Sequence, residues 1–210
     1  MKLLKYISII LISYACNGQT EPTVFYNESG EKITKKQFLD YKNKTENMGL
    51  YYNNDSIQYA ILLTQKKFGK LDKNTFTRLK DYLSTLSGSK IDASKNIVIN
   101  YLNKYPEKAE NKTTRTGWNV LDKDYLKKLH RIADINQYWI HSPESDNLEY
   151  YHQDRINWLA DKDLFFKTTF FPYDVRYGNY ILIKPNGNYY YHLSEHSKYT
   201  IWDTAKQFFK

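Results

Sequence analysis

Of the 210 residues only one, Cys16, is a cysteine. No disulfide can form within the chain, and no cluster of thiolates can hold a structural metal. Whatever fold this chain adopts must be held by side-chain packing. The means are visible in its 21 tyrosines, 10 phenylalanines and 4 tryptophans. Each buries a large apolar body, while a phenol or indole tip can still meet water or a polar partner. The length suffices for one good core or two small ones.

Cys16 also closes a distinctive N-terminal segment. Lys2 and Lys5 give a positive start, Tyr6 to Ile12 an apolar run, and Ser13-Tyr14-Ala15 a cleavage region; the chain turns polar at Asn17-Gly18-Gln19. That layout reads as an export signal over residues 1–15, followed by a polar tether over residues 16–22. The segment resembles a bacterial lipoprotein signal, in which the cysteine is acylated and becomes the new N-terminus. The resemblance implies lipidation at Cys16 and a mature chain anchored to a membrane of the cell envelope, facing the periplasm or the cell surface. The same residues also allow ordinary cleavage after Ala15, which would leave an exposed free thiol. A membrane-spanning anchor over residues 3–14 fails on length, since a helix that long covers about 18 Å of a core about 30 Å thick.

Loss of residues 1–15 removes two lysines, so 29 of the 31 basic residues remain against 23 acidic ones, a net charge of +6. A basic surface attracts anionic partners. Here the charges are scattered as pairs, Lys35-Lys36, Lys66-Lys67 and Lys127-Lys128 among them, with no run of five like charges. No binding stripe results. Nucleic acid is not expected as a partner of an exported chain.

Thr23 to Tyr26 reads as a strand, Asn27 to Gly30 as a turn, and Ile33, Phe38 and Tyr41 fall in a helix starting near Thr34. Ile57 to Thr64 is a β-rich apolar run, with Phe68-Gly69 marking its end. Phe76, Leu79, Tyr82, Leu83 and Leu86 share a helical face that Gly88 terminates. Residues 23–90 thus form a small α+β unit. After it, Ile97 to Tyr101 reads as a buried strand, residues 103–123 as a polar loop, and Tyr125 to Ile132 as a helix. Tyr138 to Ile140 follow as a strand, and residues 154–171 carry another helix. Tyr180 to Ile183, a turn at Pro185-Asn186-Gly187 and Tyr189 to Leu193 make a hairpin. A helix from about Ser197 closes the chain, with Ser194 or Ser197 as its cap. The order β-α-β-α-β-β-α predicts a parallel first pair, an antiparallel hairpin and a central mixed sheet with helices on both faces. The fold class is α/β in this part and α+β overall.

Over residues 95–210 this pattern resembles the thioredoxin-like fold. The stretch Tyr180-Ile-Leu-Ile-Lys-Pro-Asn-Gly-Asn-Tyr189, leading into the final helix, looks like the closing hairpin and helix of membrane-anchored thiol-disulfide oxidoreductases. The family's chemistry needs a Cys-x-x-Cys pair at the start of the helix after the first core strand. The corresponding loop here holds no cysteine, and Gly178-Asn179 stand where the family places a cis-proline. Dithiol exchange is excluded on residue types alone.

Other constellations carry less. His192-Leu193-Ser194-Glu195-His196 matches H-x-x-E-H, but zinc-protease chemistry needs it on one helix with a distant carboxylate ligand. A polar loop is the simpler account. His141, Ser142 and Glu144, with His152 and Asp154 nearby, lack the Gly-x-Ser-x-Gly elbow that presents a nucleophile. Asp161 and Asp163, two residues apart, would fall on different faces of a helix, so no acid/base pair is indicated. No phosphate-binding glycine loop occurs, and no cofactor is called for. The remaining surface is the loop 103–123, with Lys104, Lys108, Lys112, Arg115 and Trp118. A basic loop with an aromatic suits an acidic peptide or a glycan, so Arg115 and Trp118 are the candidate partner-binding residues. The expectation is an envelope protein that binds or scaffolds through a redox-inactive domain. The alternative is an enzyme built on the histidine-bearing loops.

Overall fold

The computed structural model describes residues 22–54, 56–104, 115–145, 148–175 and 177–210. Cys16, Lys108 and Lys112 lie outside them. The architecture is mixed α/β, with two mixed sheets and helices on their faces.

The first sheet holds β1 (Thr23–Tyr26), β2 (Lys32–Ile33), β3 (Asn47–Asn54) and β4 (Ile57–Thr64) in the order β2-β1-β4-β3. The helix α1 (Lys35–Lys42) starts as expected at Thr34, which forms a reciprocal capping box with Gln37. Its fully buried Phe38 lies against Phe25 with ring centres 5.0 Å apart. The chain departs from expectation at Phe68-Gly69, which do not end a strand. They sit inside β5 (Lys66–Lys70), a separate strand that pairs antiparallel with β10 (Asn188–His192) in the second sheet. The following helix α2 (Lys73–Ser87) is capped by the Asp72 side chain at its start and by left-handed Gly88 (φ 68°) at its end.

The second sheet runs β5-β10-β9-β6-β7-β8, adding β6 (Asn96–Leu102), β7 (Ile135–His141), β8 (Trp158–Ala160) and β9 (Asn179–Ile183). The pair β6 and β7 is parallel, and β9 and β10 form the antiparallel hairpin, both as expected. β9 runs antiparallel to both of its neighbours. The central strands bury both faces, which explains their unbroken apolar runs. Ile97, Ile99 and Tyr101 join Leu79 and Leu83 of α2 and Phe166 of the short helix α4 (Phe165–Thr169). Val98 and Leu102 face the other way, toward Tyr125 and Leu129 of α3 (Asp124–Ile132) and Ile201 and Trp202 of α5 (Lys198–Phe208). The helix expected over residues 154–171 is thus only α4, preceded by β8.

The segments 23–90 and 95–210 share one sheet through β5 and one core through α2 and Leu63. α5 is capped by Ser197 and tied to the start of α3 through its first residue. The Lys198 ammonium lies 2.9 Å from Asp122 and 2.7 Å from Asp124.

Candidate functional site

In open α/β sheets the place to look is beyond the carboxyl ends of the parallel strands. Here that is the region just after β6 and β7, where the chain enters β9 from the opposite direction. Asn103 follows β6 and is buried. Its Nδ2 donates to the Val175 carbonyl at 2.8 Å, and its Oδ1 accepts from Asn179 Nδ2 at 3.2 Å. Asn179 Oδ1 accepts in turn from the Ser194 backbone at 2.9 Å, and the Ser145 hydroxyl donates to the Asn103 carbonyl at 2.8 Å. Two asparagines and a serine therefore satisfy one another and the backbone of three loops. A buried polar network closed in this way orders its surroundings and leaves few groups for a ligand.

Trp118 seals the edge. Its indole Nε1 donates to the His196 carbonyl at 3.0 Å, and its ring meets the His196 imidazole edge-on at 5.2 Å. A Cβ on Gly178 would stand 2.5 Å from Trp118 Cη2, so only glycine fits beneath the indole. Of the two residues singled out in the sequence, Trp118 is half-buried and turned inward, while Arg115 is exposed. Arg115 Nη1 lies 2.9 Å from both carboxylate oxygens of Asp154, and holds that carboxyl below the ordinary range. The exposed aromatic on this edge is Tyr177, 58% accessible and held at φ 68°. Left-handed backbone is rare for a tyrosine. Nothing in the sequence separates Tyr177 from the other 20 tyrosines, because its exposure follows from the packing of its neighbour Gly178. Lys104 is exposed on the same edge.

The H-x-x-E-H residues do not share a helix face. His192 ends β10, His196 lies in the loop before α5, and both are buried while Glu195 is exposed. The Tyr180 ring stands 5.3 Å from His192 and 4.8 Å from His196. Burial pushes His192 down to about 4, aided by Lys66, and His196 down to about 3. Both are neutral near pH 7, so the expected polar loop is here an inward-facing pair of imidazoles. Among the described residues no group of three or more His, Cys, Asp or Glu side chains could hold a metal ion. Ser142 is fully buried, and His141 Nδ1 meets the Ser142 carbonyl at 2.7 Å, not its hydroxyl. His152 Nε2 instead meets the Thr116 carbonyl at 3.1 Å.

Asp161 is a different matter from the exposed Asp163. It is fully buried and accepts from Tyr82 Oη, Tyr101 Oη and the backbone amides of Phe166 and Lys167. Its position at the start of α4 makes it an anchor of the core, with no solvent face for chemistry.

No family model matches the chain, and no curated protein matches it.

Proposed function

We propose that this chain is an exported protein of the bacterial cell envelope, anchored through lipid on Cys16. Its second sheet is a thioredoxin-like core used for binding or scaffolding. The strand order β10-β9-β6-β7, with β9 reversed, supports the core reading, as do α3 and α5 on one face and α4 on the other. The observation that carries the functional reading is the edge where redox members of such a fold keep their thiols. Here it is a closed hydrogen-bond network under Trp118, with Lys104, Arg115 and Tyr177 facing outward. Two cations beside an aromatic suit an acidic envelope protein or glycan. For an enzyme built on the histidine loops, His192 and His196 face the core and present no base to solvent.

Metabolic labelling with a palmitate analogue tests the anchor. Label should enter the wild-type chain and be absent from Cys16→Ala; label that persists in the variant overturns it. A photo-crosslinker in place of Tyr177 tests the contact surface, and should yield one adduct that Arg115→Glu abolishes.

A further inference from the structure

β8 pairs only with Trp139, Ile140 and His141 of β7. Among the described residues no strand therefore lies beside the outer edge of the first half of β7, Ile135 to Tyr138. α3 covers the inner side of that stretch, and a cleft of about 540 Å³ opens between them. That volume lies within the range of small-ligand sites, about 300–1,000 Å³. Its floor is apolar: Leu121, Tyr125, Leu126, Trp139 and Ile156.

Three features in this cleft point to one kind of ligand. Gln137 shares its strand face with Ile135 and Trp139, and its Nε2 is buried without a hydrogen-bond partner. A buried amide donor left unpaired is costly, and native proteins seldom keep one without a use for it. Lys123 and Arg155 stand in the lining, both exposed, and neither forms an ion pair among the described residues. The one acid in the lining, Asp122, lies 2.9 Å from Lys198, which it shares with Asp124 outside the lining. The cleft thus offers an apolar floor, one buried donor and two unpaired cations.

We propose that this cleft binds the C-terminal end of an apolar peptide. Its carboxylate sits between Lys123 and Arg155, the last amide carbonyl accepts from Gln137 Nε2, and the apolar side chains lie on Trp139, Tyr125 and Ile156. The apolar floor beside the cations favours a carboxylate carried on an apolar chain over a free inorganic anion, which would leave that floor uncovered. The bare edge of β7 offers extended backbone the unpaired groups that strand addition uses.

Titration calorimetry of the full chain with N-acetyl-Leu-Phe-Leu, as the free acid and as its C-terminal amide, tests the assignment. The acid should bind saturably, and the amide at least about tenfold more weakly, as expected for loss of a charge-assisted contact. Removing both cations in Lys123→Ala/Arg155→Ala should weaken the acid about tenfold and leave the amide unchanged. Gln137→Leu should weaken both forms alike. If Gln137→Leu does not fold, the exposed Lys123 and Arg155 variants decide the matter without it. Equal binding of acid and amide, binding of the acid unchanged by the double variant, or no binding of either form overturns the proposal.

Discussion

The Asp161 carboxylate accepts a hydrogen bond from the Tyr82 hydroxyl at 2.9 Å, across 79 residues of sequence. That contact ties α2 to the turn before α4. The same carboxylate accepts from Tyr101 of β6 at 3.4 Å and from the amides of Phe166 and Lys167 at 3.0 Å each. Burial, reinforced by Asp161, raises both phenols well above their ordinary range, so they remain protonated donors. One side chain thus joins a helix, the central strand and the start of a second helix.

Asp161→Ala removes the acceptor from all four donors at once. Stranding buried donors costs about 1–3 kcal/mol each at most, partly offset by relaxation, so a loss of about 3–5 kcal/mol is expected. Tyr82→Phe deletes one donor and should cost about 1 kcal/mol. Urea unfolding of the two variants checks the ranking. A loss below about 0.5 kcal/mol in Asp161→Ala, the level of an ordinary surface change, would show that the network does not hold α4.

The buried imidazoles set an acid limit. His192 and His196 have folded pKa values below those of the unfolded chain, about 6.5 for a free histidine. The unfolded state therefore takes up protons first as pH falls, and stability is lost. Their contribution is complete above pH 6.5 and declines as pH falls through about 4 for His192 and about 3 for His196. His192 alone accounts for on the order of 3 kcal/mol across that window. Because its Nδ1 is unpaired, His192→Phe should fold at pH 7 and show a shallower loss of stability between pH 6.5 and pH 4. A variant whose urea midpoint follows pH as steeply as the wild type over this range contradicts the assignment.

Much of this fold is legible in the residues because local pattern and global fold agree. Ile57–Thr64 and Ile97–Leu102 are β-branched and apolar runs, and Thr34, Asp72, Gly88 and Ser197 are helix caps where the chain needs them. β3 is not legible. Its Asn and Gly are poor strand formers, and it is a strand because all eight of its residues pair with β4. β5, with three lysines and a glycine in five residues, owes its conformation to β10, and its lysines suit a sheet edge. That residues 103–123 connect β6 to α3 is legible in the sequence, but the orientation of the side chains there is not. Whether Trp118 faces out or in depends on Gly178 and His196, both distant in sequence. Asp161 is hidden for the same reason, with its phenol donors 79 and 60 residues away.

The close contact of Gly178 with Trp118 can be probed directly. Gly178→Ala places a methyl where the indole edge now lies, so Trp118 must swing outward or the chain must shift. Overpacking of this kind costs about 1–3 kcal/mol. The displaced indole also loses its bond to the His196 carbonyl. Lower stability with a red-shifted tryptophan emission is expected, and the shift should vanish in a Trp118→Phe background. Unchanged emission in Gly178→Ala would mean that the indole does not rest on this glycine.

Arg115 separates stability from binding. Its ion pair with Asp154 is half-exposed on both sides, at 47% and 54%, and such pairs contribute about 0–1 kcal/mol. Arg115→Glu replaces attraction with repulsion toward Asp154, yet solvent screens both charges, so the unfolding midpoint should move little. If the edge holds an acidic partner, the same change removes one of its two exposed cations, Lys104 and Arg115. Adduct formation from a crosslinker at residue 177 should then fall at least about tenfold, and should be partly restored in Arg115→Lys, which keeps the charge but not the planar fork. A stable Arg115→Glu protein that still crosslinks like the wild type would take this edge out of the contact surface.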